Sequence, residues 1–228
     1  MVEVSVIIPA YNEEDKIEKT LDSLKLIPEI KEIIVVDDGS VDRTAEAARK
    51  KGIVVIQMGK NTGKSRAVFQ GLLQAKYDLI ALVDADLEES AVEIKKLILP
   101  VIRDQADMTV AHFNERVSGG GFGIVKKIAA YFLAKITGHA VESPLSGQRV
   151  LRRPLLEHVG RFTRGFGLEF GLTAISLQRG LRVVEVETDM FHRLHGRSLK
   201  GFIHRGRQLI DIIRVLLIIM VNKKEVVK

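Results

Sequence analysis

The chain has 228 residues, 46% hydrophobic and 28% charged, the balance of a folded globular protein with one sizeable core. With no cysteine it can build neither a disulfide framework nor a thiolate metal site, and it fits a reducing cytoplasm. The net charge of +6 points to an anionic partner, yet no Trp, 5% aromatics and no recognisable binding motif argue against nucleic acid. Phosphorylated small molecules or anionic lipid fit better.

In chain order, "MVEVSVIIPAYNEED" lacks the basic region and long apolar run of a signal peptide and reads as a buried strand entering a loop. "EEDKIEKTLDSLKLI" places Ile17, Leu21 and Leu24 at helical spacing, "EIIVV" is the second strand, and "SVDRTAEAARKKG" is a helix with a glycine stop. "IVVIQM", "TGKSRAVFQGLLQAK", "LIALV", "ESAVEIKKLILPVIRD" and "MTVAHF" continue the alternation of strand and helix. The pattern predicts βαβ units and an α/β fold with a mainly parallel sheet, whose ligands bind beyond the carboxyl ends of the strands. The loops "PAYNEE", "DDGSVDRT", "GKNTGKSR" and "DADLEE" would converge on that rim.

The second half is less regular. "RVSGGGFG" reads as a mobile loop and "IVKKIAAYFLAKITG" as an amphipathic helix. "ESPLSGQRVLRRPLLEHVG" suggests a turn, a short strand and a helix, "GFGLEFGLTAISLQRG" a helix, and "LRVVEVET" a strand. The tail begins as a basic loop and ends in "VLLIIMV", well short of the roughly 20 apolar residues that span a bilayer. Residues 201–228 read as an amphipathic helical tail with basic and apolar stripes, suited to a membrane interface, to the protein's own core or to a homodimer contact.

In "LIALVDADLEES", Asp84, Asp86 and Glu88 recur at every second position, so a strand running through them would project all three on one face. Acidic residues at a strand-to-helix junction cap helices, but three on one stripe also suit a hard cation, Mg²⁺ or Mn²⁺, completed by phosphate oxygens. Both readings are open at this point.

Five segments, "VSVIIPAYNEE", "IIVVDDGSVDRT", "NTGKSRAV", "LVDADLEES" and "SGQRVLRR", together resemble a family 2 glycosyltransferase of the GT-A (Rossmann-like) fold. Within it the order and spacing are most similar to the polyprenyl-phosphate (dolichyl-phosphate) sugar synthases, over roughly residues 3 to 200, which would form the catalytic domain 1–200. The resemblance implies a metal-dependent inverting transfer of a hexose from a nucleoside-diphosphate sugar. Pro9, Tyr11 and Glu13 would lie against base and ribose, Asp37 or Asp38 would accept from the base, and Lys64 would meet the diphosphate. Asp86 would be the main metal ligand, with Asp84 on ribose or metal and Glu88 as a further ligand, although the group often has Gln at that place. Glu169 matches the region of the catalytic base, its other reading being a solvent-facing helix residue.

For the acceptor phosphate the resemblance implies Arg149 together with Arg193, Arg197 and Ser198 of an R-x-x-G-x-S element, with Arg193 also close to the reacting diphosphate. Here Leu199 follows that serine where the group has lysine, and Ser143 stands where it often has aspartate. The expected acceptor is polyprenyl phosphate, and the expected location is the cytoplasm, with a peripheral seat at the inner face of the cell membrane as an option. The alternatives are a soluble acceptor such as a phosphoglycerate, and a nucleotide-sugar-binding regulatory protein without turnover.

Overall fold

The computed structural model describes residues 2–113, 123–160, 167–191 and 210–219. Seven strands form one sheet: β1 (Val4–Ala10), β2 (Ile30–Asp37), β3 (Val54–Gln57), β4 (Leu79–Leu82), β5 (Met108–Phe113), β6 (Arg149–Arg152) and β7 (Val183–Thr188), in the order β3-β2-β1-β4-β6-β5-β7. All neighbours pair in parallel except β6, which runs antiparallel to both β4 and β5. The expected α/β architecture is therefore present. The short "RVLR" strand is inserted against the direction of the rest, so its N-terminal end lies on the rim formed by the carboxyl ends of the others.

The sheet is buried on both faces because its central strands are apolar at successive positions. On one face Val6, Ile8, Val35, Ala81 and Val150 pack under α1 (Ile17–Lys25), α2 (Thr44–Lys50) and α4 (Ile94–Ile102). The other face, with Ile7, Ile34, Val36, Ile80, Leu82, Val110 and Leu151, packs under α3 (Lys64–Gln74), α5 (Gly123–Thr137), α6 (Arg153–Gly160) and α7 (Gly167–Gln178). Consecutive residues such as Val6 and Ile7 fall in different clusters, as alternation along a strand requires.

Two elements depart from the sequence expectation. The helix read over "ESAVEIKKLILPVIRD" starts as a 3-10 turn (Glu88–Glu93) before α4, while β4 ends at Leu82, one residue short of the strand read over "LIALV". α7 is buried along nearly its whole length, since "GLEFGLTAISL" has small or apolar side chains on every side.

Residues 210–219 are helical (α8). Ile212, Val215, Leu216 and Ile219 join the second core cluster, while Ile210, Ile213 and Leu217 are exposed. The inner face of this part of the tail is thus a core element, and a second apolar stripe faces outward. No helix among the described residues is long and apolar enough to cross a membrane.

Candidate active site

The rim is assembled by cross-loop hydrogen bonds. After β1, Asn12 takes a left-handed conformation (φ 57°), donates its N–H to Ser40 Oγ and accepts from Val41 N through its side chain, both at 2.9 Å. Thr44 Oγ1 accepts from Glu13 N at 2.8 Å, and Asp42 accepts from Glu14 N at 3.2 Å. The first loop is thereby locked to the second. It carries Tyr11 exposed and Glu13 with its carboxylate on Lys16 at 3.0 Å, while Pro9, partly buried, lies near the end of β1 before it.

Asp37 and Asp38 are both buried and organise turns. Asp37 Oδ1 accepts from Ser40 N at 3.0 Å; Asp38 accepts from Thr62 N, Thr62 Oγ1 and Gly63 N at 2.8, 2.9 and 2.7 Å, anchoring the entry to α3. Between them and α3, Gly39 (φ 76°) lies so close to the next loop that a Cβ would stand 2.6 Å from the Lys60 carbonyl carbon. Only glycine accommodates both the backbone angle and the approach.

At the centre, Lys64 opens α3 and reaches two carboxylates: Asp84 Oδ1 at 2.6 Å and Glu169 Oε1 at 3.0 Å. Burial works against the charged ammonium, but the two carboxylates outweigh it and hold Lys64 above the ordinary lysine value. Glu169 is not solvent-facing: its side chain is 7% exposed, and its second oxygen, Oε2, is buried without a hydrogen-bond partner among the described residues. A buried carboxylate oxygen left open beside a cation is a ready acceptor for a ligand hydroxyl.

The acidic turn after β4 distributes its carboxylates among different partners. Although the strand stops at Leu82, burial still alternates beyond it: Val83, Ala85 and Leu87 enter one core cluster, while Asp84, Asp86 and Glu88 are each partly exposed. Asp84 faces Lys64, Asp86 is partly exposed, and Glu88 (φ 50°) pairs with Lys19 of α1 at 3.0 Å. Among the described residues no group of three His, Asp or Glu side chains forms a ready metal cage, so the expected triad of Asp84, Asp86 and Glu88 is not assembled. The turn is pinned from behind by Thr20, which donates to Ala85 O at 2.9 Å and accepts from Glu88 N at 2.8 Å. A lone hydroxyl inside the apolar stripe of a helix was the only sequence signal for it.

Arg149 requires a second correction. It is fully buried, and its guanidinium donates to Ser146 O, Thr173 Oγ1 and Pro144 O at 2.7–2.8 Å. Burial pushes it down to about 10, against the opposite pull of Glu169 and Glu185, so it stays charged at neutral pH. It ties the 144–146 turn to Thr173 of α7, which makes it a buried brace of that loop and not an exposed phosphate ligand.

The same loop brings in His112, Glu185 and Gly147, which the sequence did not single out. Ser143 N donates to Glu185 at 2.5 Å, and Ser143 Oγ meets His112 Nδ1 at 2.9 Å. Gly147 abuts the central ion pairs: a Cβ there would stand 2.5 Å from Lys64 Nζ and 2.8 Å from Asp84 Oδ2. The glycine-rich loop expected at 116–123 lies outside the described residues except for Gly123, which begins α5, and Arg193, Arg197 and Ser198 lie outside them altogether.

Comparison with known proteins gives the site a context. The model of glycosyl transferase family 2 matches residues 5–160. The chain belongs to glycosyl transferase family 2. This family 2 glycosyltransferase is 29% identical to an uncharacterized protein of Methanocaldococcus jannaschii, over 97% of the chain and 92% of that protein. It is 33% identical to the dolichol-phosphate mannosyltransferase of Pyrococcus furiosus over 88% of the chain, and spans 60% of that enzyme's length. Among solved structures it is similar to glucosyl-3-phosphoglycerate synthase from Mycobacterium tuberculosis in complex with Mn²⁺, UDP and phosphoglyceric acid. That likeness has a TM-score of 0.79 at 26% identity and covers 95% of the chain and 78% of the neighbour.

Proposed function

We propose that this glycosyltransferase moves a hexose from a UDP- or GDP-sugar to a phosphorylated acceptor, with polyprenyl phosphate favoured. The observation that carries the reading is the convergence of Lys64, Asp84 and Glu169 on the rim, with one carboxylate oxygen of Glu169 left open. Tyr11 and Pro9 hold the base, Glu13 the ribose hydroxyls, and Asp37 and Asp38 keep the base-side loops in place. Lys64 neutralises part of the diphosphate charge as the glycosidic bond breaks.

A divalent Mg²⁺ or Mn²⁺ fits the oxygen donors present, because Asp86 and Asp84 offer hard carboxylates and the substrate's diphosphate oxygens fill the remaining positions. Asp86 is the principal ligand; Glu88 is tied to Lys19 and is left out of the set. When bound, such an ion supplies charge neutralisation to the leaving nucleoside diphosphate. Glu169 receives a hydroxyl hydrogen bond through Oε2. A phosphomonoester acceptor, with a second pKa of about 6, is already a nucleophile near neutral pH and needs orientation more than a base. Arg193, Arg197 and Ser198 supply that orientation in this reading.

Polyprenyl phosphate is favoured by the mannosyltransferase likeness and by the exposed stripe of Ile210, Ile213 and Leu217 beside Arg214, which suits a peripheral seat on an anionic membrane. A soluble phosphoglycerate acceptor is the second reading, favoured by the open Glu169 oxygen, which suits a hydroxyl nucleophile, and by the phosphoglyceric acid bound to the mycobacterial neighbour.

The test is turnover of UDP- and GDP-sugars with Mn²⁺ or Mg²⁺, with and without short-chain polyprenyl phosphate or phosphoglycerate. Sugar in the lipid phase with acceptor-dependent nucleotide release bears out the first reading, and release with phosphoglycerate alone the second. Nucleotide binding with no turnover for any acceptor would indicate a regulatory protein, and no nucleotide binding would sink the site assignment.

A further inference from the structure

Gln148 immediately precedes β6 and is fully buried. Both ends of its amide fall on one residue: Oε1 accepts from the Asp84 backbone N–H at 3.1 Å, and Nε2 donates to Asp84 Oδ2 at 2.8 Å. A side-chain carboxamide carries the donor and the acceptor that together answer the carboxylate and the N–H of one partner. Glutamate would set an oxygen against the Asp84 carboxylate, and an apolar side chain would leave both groups unanswered by this clamp.

The clamp matters because Asp84 lies two residues past the end of β4, where backbone alternation gives its side chain a face but does not fix the direction of its carboxylate. Lys64 takes the other carboxylate oxygen, so the direction of the Asp84 carboxylate decides where the ammonium stands. The loop delivering Gln148 is itself held from three sides: Glu185 at Ser143 N, His112 at Ser143 Oγ, and Arg149 at the carbonyls of Pro144 and Ser146. A mobile carboxamide could not set a rotamer; this one sits at the entry to the antiparallel strand beside β4, the Gln148 backbone carbonyl accepting from Ala111 N at 3.0 Å.

We infer that Gln148 is a positioning residue for the donor site: it fixes the Asp84 carboxylate and, through it, places the Lys64 ammonium for the diphosphate. The inference rests on the proposed reading that Asp84 and Lys64 face the nucleotide. Loss of a group that orients a ligand-binding carboxylate typically weakens binding or activity by about 10–100-fold.

The full-length chain is compared with Gln148→Met, Gln148→Glu and the double variant Asp84→Asn with Gln148→Glu. Calorimetric binding of UDP and GDP in the presence of Mn²⁺ is measured beside thermal melting. Gln148→Met should weaken nucleotide binding by about 10–100-fold and raise the Mn²⁺ concentration needed for half-maximal binding. The double variant exchanges amide and carboxylate across the same hydrogen bond, so it should recover the melting temperature lost in Gln148→Glu without recovering nucleotide affinity. Should Gln148→Met fail to fold, the double variant carries the test. Wild-type affinity and Mn²⁺ dependence in a folded Gln148→Met protein overturn the inference, as does affinity that returns together with melting temperature in the double variant. If the wild-type chain binds neither nucleotide, the proposed function itself fails, a result the unmodified protein shows before any variant is made.

Discussion

Replacing Lys64 by methionine isolates the central ion pairs. The ammonium serves Asp84 and Glu169 at 2.6 and 3.0 Å, with side-chain exposures of 27% for Lys64, 25% for Asp84 and 7% for Glu169. Asp84 retains Gln148 Nε2 and some contact with water, so the penalty concentrates on Glu169, which would be left as a buried carboxylate without its cation. Removing one member of a buried pair costs about 3–5 kcal/mol; with the partial exposure of Lys64 the lower end, about 3 kcal/mol, is expected. For a chain of this size that is a fall of roughly 6–12 °C in Tm. Urea unfolding followed by circular dichroism, without nucleotide or divalent ion, measures it. Adding Glu169→Gln removes the stranded charge and should restore about 2 kcal/mol of the loss. Because the folded-state value of Lys64 is raised, its contribution is complete below the unfolded value of about 10.4 and is lost only as pH rises through the higher folded one. The Lys64→Met penalty should therefore be flat between about pH 6 and 9. A loss under about 1 kcal/mol, or strict additivity of the two substitutions, would refute the coupling.

Asp86→Ala should abolish transfer and Mn²⁺-dependent nucleotide binding while changing stability by no more than about 0.5 kcal/mol, checked by turnover and urea titration. Glu169→Gln should lower kcat by about 100–10,000-fold with a hydroxyl acceptor, but far less with a phosphate acceptor, so paired kinetics on both acceptors tell the two readings apart. Gly39→Ala combines a left-handed backbone with a backbone clash and should lose about 2 kcal/mol or more, visible as a lower urea midpoint. Burial pushes the Asp42 carboxyl up, but hydrogen bonds from Thr44 and the Glu14 amide overcome it and leave the carboxyl below the usual range. That stability is present above the unfolded value of about 3.9 and is lost as pH falls through the lower folded one, so Asp42→Asn should flatten the acid limb of stability against pH.

The order of strands and helices was legible because burial imposes periods of two and 3.6 on contiguous residues, and the apolar runs from Val4 to Leu82 carry them plainly. The convergence of the loops after the first four strands followed from the same parallel reading, and with it the candidacy of Tyr11, Lys64, Asp84 and Asp86. The end of β4 was legible to within a residue, but not that Asp84 and Glu88 are claimed by different lysines, Lys64 and Lys19, which come from distant helices. Nor did the sequence show that "RVLR" enters against the grain of the sheet, because strand direction is set by the pairing of distant segments. That insertion decides which way Gln148 and Arg149 point: one onto Asp84, the other into the core, although both are polar neighbours in one motif. It took the packed structure, too, to turn Glu169 inward to Lys64. Local periodicity reports which residues are covered, but an ion pair between opposite halves of the chain exists only once two helices have been placed on the same face of the sheet.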